Sequence, residues 1–591
     1  MASGFVMYLS QLIFNTFDIG FYVLIGTLVI SVVIYRGRGK SIIDSLRGYG
    51  FVAFITLYLG ILFFDFGRRF TAWDEFGHWG MMVKEMLRLD KFYCVDESHL
   101  LIHKDYPPFI GVFQTLWCKM TGGYSEMGVS MAVHLMEFSL IVPCALEKEE
   151  RKDPVKNIFY AFLILIVSVI IICALDYEFI LTTIYADLLL CLLFVYSVIL
   201  IFKKEALYSG FGYISLLLAE SAIILTKQMG LSYILIISLF FFSIGLTEYF
   251  QSKKALDLRK MILCFAGTIV VPVVNMIIWK KYYSKYGIEG QFDLEKISYA
   301  RLTGILFNGE GTWLQKATVK NYFHTVFAGT FNNAIEYIGI PLCSVFIGIA
   351  IFLIWRQNRK ILSGVYMIEL GVTFLIGTIG MIMLMLVMYL FCFSETEMDA
   401  LVSLERYLGT FVMGEFMILF MIVIFCMEKE DFKLSRIKLC GTVATLFLCL
   451  CLSIPDIMIF YFGNIYDSER TVKYQNDADY IRGKTGDETR VFVLGADLID
   501  EYPYVVQYYA NGLELRGAKY IKQVGIEGLD EKTVHAMAEE TSECDYLVVT
   551  GVNDVINGVY SKYNHGKNIE APSLYKVKKR ENGFLLEEVE V

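Results

Sequence analysis

The chain has 591 residues, of which 56% are hydrophobic and 19% are charged, and its formal net charge is -9. Soluble domains carry about 25% charged residues, so this composition excludes an ordinary soluble protein. The acidic balance, without a basic cluster, also excludes a nucleic-acid partner.

The apolar runs along the chain predict a polytopic α-helical membrane protein. A run of about 20 apolar residues is long enough to cross a bilayer as a helix. By that criterion the sequence contains about twelve transmembrane helices. They are predicted at 16–35, 48–66, 125–146, 157–176, 182–202, 210–227, 229–250, 261–279, 336–355, 367–391, 409–427 and 439–462.

The linkers between these spans fall into two classes, which set the predicted topology. One class is short and rich in Lys and Arg, whereas the short linkers on the other side carry almost none. Positively charged loops stay in the cytoplasm. The N-terminus, the long loop 67–124 and the tail after 463 are therefore expected to face outward from a cell membrane, most simply a bacterial plasma membrane. The basic linkers are 36–47, 147–156, 203–204, 251–260, 356–360 and 428–438.

The outer loop opens with the segment "AWDEFGHWG", in which Asp74, Glu75 and His78 stand between two tryptophans. Asp74 is a good N-cap residue, and an acid in the first turn suits the helix dipole, so both carboxylates also have a purely structural interpretation. His78, one turn beyond Asp74, has the same alternative as a local partner of that acid.

Two helices lying in the membrane interface are predicted in the rest of this loop. Residues 79–89 and 109–120 place apolar side chains on one helical face, which is typical of such helices. Tyr106, Pro107 and Pro108 form a stiff turn before the second helix. The loop 67–124 is therefore expected to pack against the membrane with the acidic pair at its mouth.

Charged residues near the ends of later spans fall on the same predicted face. Asp187 lies inside the outer end of its span, where a carboxylate is costly unless it meets a polar cavity or a partner. Lys227 ends the next span, and Arg406 with Tyr407 begins a later one. We expect these groups to converge with Asp74, although a salt-bridged cluster that only pins helix ends is the structural alternative.

The tail changes composition and predicts a small soluble domain. Residues 490–497, "RVFVLGAD", predict a strand, and 543–563 predict a strand followed by a helix. The last residues alternate around Gly583 like a hairpin. The predicted organisation is a transmembrane domain, 1–462, followed by an extracytoplasmic α/β domain, 463–591.

The motifs of 48–410 resemble those of the GT-C superfamily of membrane glycosyltransferases, such as protein O-mannosyltransferases and aminoarabinose transferases. Members show an acid or acidic pair opening the first outer loop, a Pro-containing segment there, and an acid at the outer end of a later span. Asp74 with Glu75, Tyr106 with its prolines, and Asp187 look like these positions. Residues 226–231, "TKQMGL", are similar to the lysine-glycine segment of the family. "ERYLG", 405–409, is similar to its arginine-tyrosine segment.

The resemblance implies a hexosyl- or pentosyltransferase acting on the outer face. Because nucleotide sugars are not found outside the cell, the implied donor is a polyprenyl-phosphate sugar, and the acceptor is a glycan, a lipid or a cell-surface polymer. Asp74 would be the general base, with Glu75 in support. Lys227 and Arg406 would stabilise the leaving phosphate, with Arg68 and Arg69 nearby.

The remaining expected site residues are Asp187, as orienting or tuning acid, and His78, Tyr106 and Tyr407 as substrate-binding groups. No cofactor is implied with certainty. Asp74 and His78, spaced i, i+4 and joined by Asp187, are chemically suited to a divalent ion such as Mg or Mn.

Two other functions fit the sequence. A polysaccharide polymerase or ligase acting on lipid-linked glycans would share the same side and the same lipid. A transporter or flippase of such lipids would use charges within the bilayer, and Glu137, Glu220, Glu369 and Glu415 lie within or near spans.

Overall fold

A computed structural model defines the fold and falls into two compact units. The first unit comprises Met1–Arg68, Asp90–Val95 and His103–Ile465, and the second comprises Arg69–Leu89, Asp96–Ile102 and Tyr466–Val591. The structure describes residues 1–37, 49–145, 164, 167–169, 171–172, 182–251, 258–291, 297–328, 339–429, 469–486, 489–495, 501–510, 512–517, 529–580 and 583–589.

Up to residue 429, all regular structure among the described residues is helical. Short polar side chains start several helices: Ser209 accepts a bond from Gly212 N, and Ser394 forms a reciprocal capping box with Glu397. The helices are α1 (Ala2–Phe14), α2 (Phe17–Gly37), α3 (Tyr49–Asp65), a π-helix (Glu75–Trp79), α4 (Gly80–Leu89), α5 (Phe109–Thr121), α6 (Glu126–Ala145), α7 (Ala186–Phe202), α8 (Glu205–Tyr208), α9 (Gly210–Thr226), α10 (Gly230–Gln251), α11 (Leu258–Ser284), α12 (Tyr299–Phe307), α13 (Trp313–Ala328), α14 (Ile340–Gln357), α15 (Gly364–Phe391), α16 (Glu395–Ala400) and α17 (Leu404–Lys429).

The membrane character of the chain is evident from these helices. Six helices of the described part are long and apolar enough to cross a bilayer, namely α2, α10, α11, α14, α15 and α17. The predicted spans 157–176 and 439–462 lie largely or wholly outside the described residues, and the other ten coincide with helices. The chain is a multi-pass membrane protein, and the total of about twelve spans stays a prediction. The two interfacial helices match α4 and α5, whereas α1 was not predicted.

The second unit is built on a five-stranded mixed sheet. Its strands are β1 (Arg490–Leu494), β2 (Glu514–Arg516), β3 (Tyr546–Val549), β4 (Ser573–Arg580) and β5 (Gly583–Glu588), in the order β2-β1-β3-β4-β5. β1 pairs in parallel with β2 and β3, whereas β3–β4 and β4–β5 are antiparallel. The strand at 490, the strand–helix unit and the terminal hairpin of the prediction are thus present. The helices are α18 (Glu469–Thr485), α19 (Tyr502–Tyr509), α20 (Glu531–Thr541) and α21 (Asp554–Tyr560).

The beginning of the outer loop belongs to this second unit rather than to the helical one. Trp73 and Tyr504 lie 5.1 Å apart between ring centroids, and Phe76 and Tyr508 lie 5.2 Å apart, both edge to face. Lys84 Nζ donates to the carbonyl oxygen of Tyr508 at 2.7 Å. The segment that carries the acidic pair is therefore held by α19 of the tail.

Candidate functional site

Three charged side chains of the first unit meet at the ends of three helices. Asp187 lies in the first turn of α7, Lys227 directly follows α9, and Arg406 lies near the start of α17. Lys227 Nζ lies 2.7 Å from Asp187 Oδ1, and Arg406 Nε lies 3.8 Å from Asp187 Oδ2. One carboxylate thus lies between two cations. Because the Asp187 side chain is only 4% exposed, these partners are what makes its burial tolerable.

The turn between α9 and α10 explains why Lys227 stands at this point. Lys227 is extended, with φ -153° and ψ 141°, and its carbonyl accepts from Gly230 N at 2.9 Å. A Cβ added at Gly230 would lie 2.6 Å from the carbonyl oxygen of Ile223. Glycine therefore lets α10 start directly against the end of α9, and the short turn presents Lys227 to Asp187.

Aromatic rings hold the two cations without neutralising them. Lys227 Nζ lies 4.4 Å from the ring centroid of Tyr407, and Arg406 Cζ lies 5.0 Å from that of Tyr185. A ring face attracts a cation through its quadrupole but carries no net charge. The two cations are therefore packed against aromatic faces at the ends of their helices.

A small pocket opens beside this charged cluster. Its lining combines polar groups from the outer loop and from the α9–α10 turn with apolar side chains of α15. Three of the residues predicted from sequence, Tyr106, Lys227 and Tyr407, therefore face one space. The lining residues are Tyr106, Pro107, Lys227, Gln228, Met229, Met385, Met388, Phe393 and Tyr407.

A larger and mostly apolar cavity of about 610 Å³ adjoins the pocket. The two spaces share four lining residues, which are Pro107, Gln228, Met229 and Met388. A volume of about 300–1,000 Å³ is typical of a ligand cavity. A cationic end next to an apolar cavity suits an amphiphile with an anionic head. Apolar side chains of α9, α10, α11 and α15 form its walls, among them Ile224, Leu225, Leu231, Leu235, Ile236, Leu239, Met276, Ile277, Ile376 and Leu384.

The turn that carries Tyr106 is fixed by buried hydrogen bonds. The hydroxyl of Tyr93 donates to the carbonyl oxygen of Tyr106 at 2.5 Å. Burial raises the pKa of Tyr93 well above its usual value, with smaller contributions from Cys94 and Asp105, so the hydroxyl stays protonated and remains a donor. The carboxylate of Asp105 accepts from Gln228 Nε2 at 3.2 Å and from Gln291 N at 2.9 Å.

Asp105 and Gln228 were not singled out from the sequence. The signal that was available is position, since Asp105 directly precedes the turn at Tyr106 and Gln228 directly follows Lys227. Position alone does not reveal that the two side chains meet, because they are 123 residues apart along the chain.

The acidic pair lies in the second unit, and its two members have different surroundings. Glu75 is 1% exposed, and its Oε2 accepts from the backbone N–H groups of Thr71 and Ala72, each at 2.9 Å. Asp74 is half-buried and makes no side-chain cap bond to the π-helix that follows it. Because π-helical turns are frequent at functional sites, the segment that carries both acids stays a candidate for the site.

His78 is buried at 2% exposure, with ring centroids 6.3 Å from Trp73 and 4.8 Å from Trp79. The histidine is thus enclosed by the aromatic side chains of its own segment. This environment stabilises the π-helical turn that carries Asp74 and Glu75.

The structure therefore brings the predicted site residues together in two groups. Asp187, Lys227, Arg406, Tyr106 and Tyr407 gather in the first unit. The acidic pair and His78 gather in the second, and a common site for the two groups stays a prediction.

The two arginines that were predicted near the site differ as well. Arg68 is 3% exposed, and it donates to Asp65 Oδ1 and to the carbonyl oxygen of Thr182, each at 2.8 Å. Asp65 also contacts His134 Nδ1 at 2.8 Å. Arg68 is thus engaged inside the first unit, whereas Arg69 belongs to the second and is exposed.

No metal centre is assigned. Across the ranges that the structure describes, His, Cys, Asp and Glu side chains do not gather in threes as ligands for an ion. The predicted set of Asp74, His78 and Asp187 divides between the two units.

Several solved structures match this chain. The fold is similar to the archaeal oligosaccharyltransferase AglB from Archaeoglobus fulgidus, solved with an inhibitory peptide and a dolichol-phosphate, with 12% identity, a TM-score of 0.43, and coverage of 93% of this chain and 75% of that chain. The same enzyme tethered to an acceptor peptide gives 12% identity, a TM-score of 0.41, and coverage of 92% and 74%.

A third structure of that oligosaccharyltransferase, in complex with Zn and sulfate, gives 11% identity, a TM-score of 0.41, and coverage of 90% and 72%. No protein-family profile and no curated protein sequence matches the chain.

Proposed function

We propose that this protein transfers a sugar from a polyprenyl-phosphate donor to an acceptor glycan, lipid or cell-surface polymer. The observation that carries the proposal is the junction of the cationic cluster at Lys227 and Arg406 with an apolar cavity of about 610 Å³. The cluster suits a phosphate, and the cavity suits a hydrocarbon chain. A prenyl phosphate joins these two chemical features in one molecule.

In the proposed reaction, Lys227 and Arg406 act on the leaving group and Asp74 acts on the acceptor. The bond between the anomeric carbon and the phosphate oxygen breaks, and its electron pair leaves with the phosphate, which Lys227 and Arg406 stabilise. The acceptor oxygen forms a new bond to the anomeric carbon and gives its proton to Asp74. Asp187 holds the two cations in place and so acts as a positioning residue.

Asp74 must also be held close to the acceptor hydroxyl. An ionised aspartate of ordinary pKa, about 3.9, is a weak base and works only when it is held against the acceptor hydroxyl. The packing of Trp73 and Phe76 on α19 supports such positioning. The tail domain is therefore assigned a role in catalysis.

The site is placed on the outer face of the membrane by the basic linkers. This topology is tested by cysteine labelling of intact cells with an impermeant maleimide, against the signal of the parent protein. Asp96→Cys and Glu531→Cys, both at exposed positions, are expected to label, whereas Arg356→Cys is expected to label only after lysis. The reverse pattern would contradict the orientation.

The donor class is tested with the purified full-length protein in lipid nanodiscs. A panel of radiolabelled polyprenyl-phosphate hexoses and pentoses is offered together with a membrane extract as acceptor. We expect one donor to be consumed, with inhibition by unlabelled polyprenyl phosphate and none by the uncharged polyprenol. If polyprenol inhibits equally, the cation cluster is not a phosphate site.

A transporter of lipid-linked sugars is the second candidate, and one observation favours it. Glu137 in α6 and Glu220 in α9 are buried, and within the described part of the chain Glu137 Oε2 and both carboxyl oxygens of Glu220 have no hydrogen-bond partner. Buried acids of this kind mark proton or substrate paths in membrane proteins. Movement of a labelled prenyl-phosphate sugar between the leaflets of proteoliposomes, without transfer, would favour this function.

A further inference from the structure

Asp105 is a buried carboxylate that links three segments around the small pocket. It is 4% exposed and accepts from the side chain of Gln228 at 3.2 Å and from the backbone of Gln291 at 2.9 Å. Its own carbonyl oxygen accepts from Trp279 Nε1 at 2.9 Å. The outer loop, the α9–α10 turn and the chain beyond α11 are therefore joined at this residue.

The chemistry of a carboxylate fixes which way the amide of Gln228 points. An ionised carboxylate only accepts hydrogen bonds, so the NH₂ group of Gln228 must face Asp105. The amide oxygen, Oε1, is then turned away from Asp105. Gln228 lines both the small pocket and the apolar cavity, directly beside Lys227.

We propose that Gln228 Oε1 accepts a hydrogen bond from a hydroxyl of the sugar carried by the lipid donor, and that Asp105 is the positioning residue that sets its orientation. This inference rests on the proposed function and adds the element that distinguishes a sugar-bearing lipid from the bare lipid phosphate. Lys227 and Arg406 offer only donors, and these match phosphate oxygens. Gln228 Oε1, a hydrogen-bond acceptor beside these cations, needs a ligand group that carries an O–H.

The phosphate itself does not supply that proton. A phosphodiester has no O–H, and a phosphate monoester loses its second proton at a pKa of about 6. At pH 8 both lipids therefore bring only acceptors to the cations, and the hydroxyl must come from the sugar ring. Gln228 is thus expected to contribute to binding of the sugar-bearing lipid alone.

The test compares two affinities for each variant at pH 8, with full-length protein in nanodiscs. The probes are polyprenyl phosphate and the member of the polyprenyl-phosphate sugar panel that binds the wild type best. Gln228→Met removes the acceptor at similar volume. We expect this variant to bind the sugar-bearing lipid about 3- to 10-fold more weakly, which corresponds to the net contribution of one hydrogen bond. Its affinity for polyprenyl phosphate should be unchanged. Gln357→Met, an exposed glutamine in α14, is the matched control and should change neither affinity.

The role of Asp105 is tested by removing its acceptor oxygens. Asp105 Oδ2 accepts from both Gln228 Nε2 and Gln291 N, so the single oxygen of Asp105→Asn can accept both bonds, and this control variant should keep the ratio of the two affinities. Asp105→Leu removes the acceptor and lets the amide of Gln228 rotate. In this variant the ratio of the two affinities should fall as in Gln228→Met.

The outcomes separate this inference from the proposed function. If the wild type binds neither lipid, the proposed function fails and the inference fails with it. If the wild type binds both lipids while Gln228→Met leaves the ratio unchanged, the inference alone is overturned. An unchanged ratio in Asp105→Leu would contradict the orienting role of Asp105.

Discussion

The buried acids of the two units, Asp187 and Glu75, are stabilised in different ways. Asp187 faces side-chain cations at 2.7 and 3.8 Å, whereas Glu75 accepts two backbone N–H groups at 2.9 Å. Side-chain cations can contact a ligand as well as the acid, whereas backbone donors belong to the fold. A buried acid paired with side-chain cations is therefore the better indicator of a binding site.

The same contrast separates Glu75 from its neighbour Asp74. Glu75 holds the chain that enters the π-helix through hydrogen bonds from Thr71 N and Ala72 N. These bonds keep its carboxylate buried. Asp74 is half-buried and does not cap the helix. Adjacent residues of the same charge thus have different surroundings, and the role of Asp74 as the base stays a prediction.

Replacing Asp74 should have the largest effect. Asp74→Asn keeps the shape of the side chain and removes the base, and loss of a general base typically lowers a rate by about 10²–10⁴-fold. We expect normal membrane levels and normal donor binding with this loss of transfer, measured as radiolabelled sugar on the acceptor. Retention of more than about a tenth of the turnover would remove Asp74 from the mechanism.

Replacing Lys227 should have the next largest effect. Lys227→Met keeps the stem of the side chain and removes the cation, and loss of one group that stabilises developing negative charge costs about 10²–10³-fold in kcat. Competition by polyprenyl phosphate should weaken in parallel, measured as its inhibition constant. Lys316→Met, at an exposed lysine of α13, is the matched control. Equal behaviour of the two variants would mean that the cluster only pins helix ends.

Much of the helical unit could be predicted from the sequence because its signals are local. A long apolar run marks a span whatever it packs against, and a charge inside such a run is conspicuous. For that reason Asp187, Lys227 and Arg406 were found together before their distances were known. The helix α1 was missed since its 13 residues are too few to cross a bilayer.

The parts that escaped prediction depend on contacts between distant residues. The bond between Asp105 and Gln228 and the packing of Trp73 on Tyr504 have no local pattern. The resemblance assigns the base to Asp74 with Glu75 in support, but the residue types alone do not reveal that Glu75 accepts from two backbone N–H groups. Membership of residues 69–89 in the tail unit was hidden for the same reason.

Replacing Glu75 should lower stability more than turnover. Glu75→Gln keeps one oxygen that can accept from both Thr71 N and Ala72 N but removes its charge, and a hydrogen bond to a charged group contributes about 1.5–3 kcal/mol against about 0.5–1.5 kcal/mol for a neutral one. We expect a lower unfolding temperature and faster hydrogen exchange at residues 69–89. The turnover of the folded fraction should fall much less than in Asp74→Asn. A dead but fully stable Glu75→Gln would reverse the assignment of the two acids.

The smallest effect is expected where a carboxylate and cations meet at the surface. Burial raises the pKa of Glu514, but hydrogen bonds and charge from Arg516 and Arg490 outweigh it and hold the pKa below its usual value. A group whose pKa is lower in the folded state stabilises the fold above its unfolded pKa, and this contribution is lost as the pH falls through the folded value. The Glu514 side chain is 32% exposed, so solvent screens the pair and its contribution is at most about 1 kcal/mol. Between pH 7 and pH 3, the hydrogen-exchange protection factors of β1 and β2 should therefore fall slightly more in the wild type than in Glu514→Gln. A large difference between the two proteins would mean that an exposed pair of a carboxylate and an arginine stabilises this sheet as strongly as a buried one. The contrast with Asp187 would then not hold.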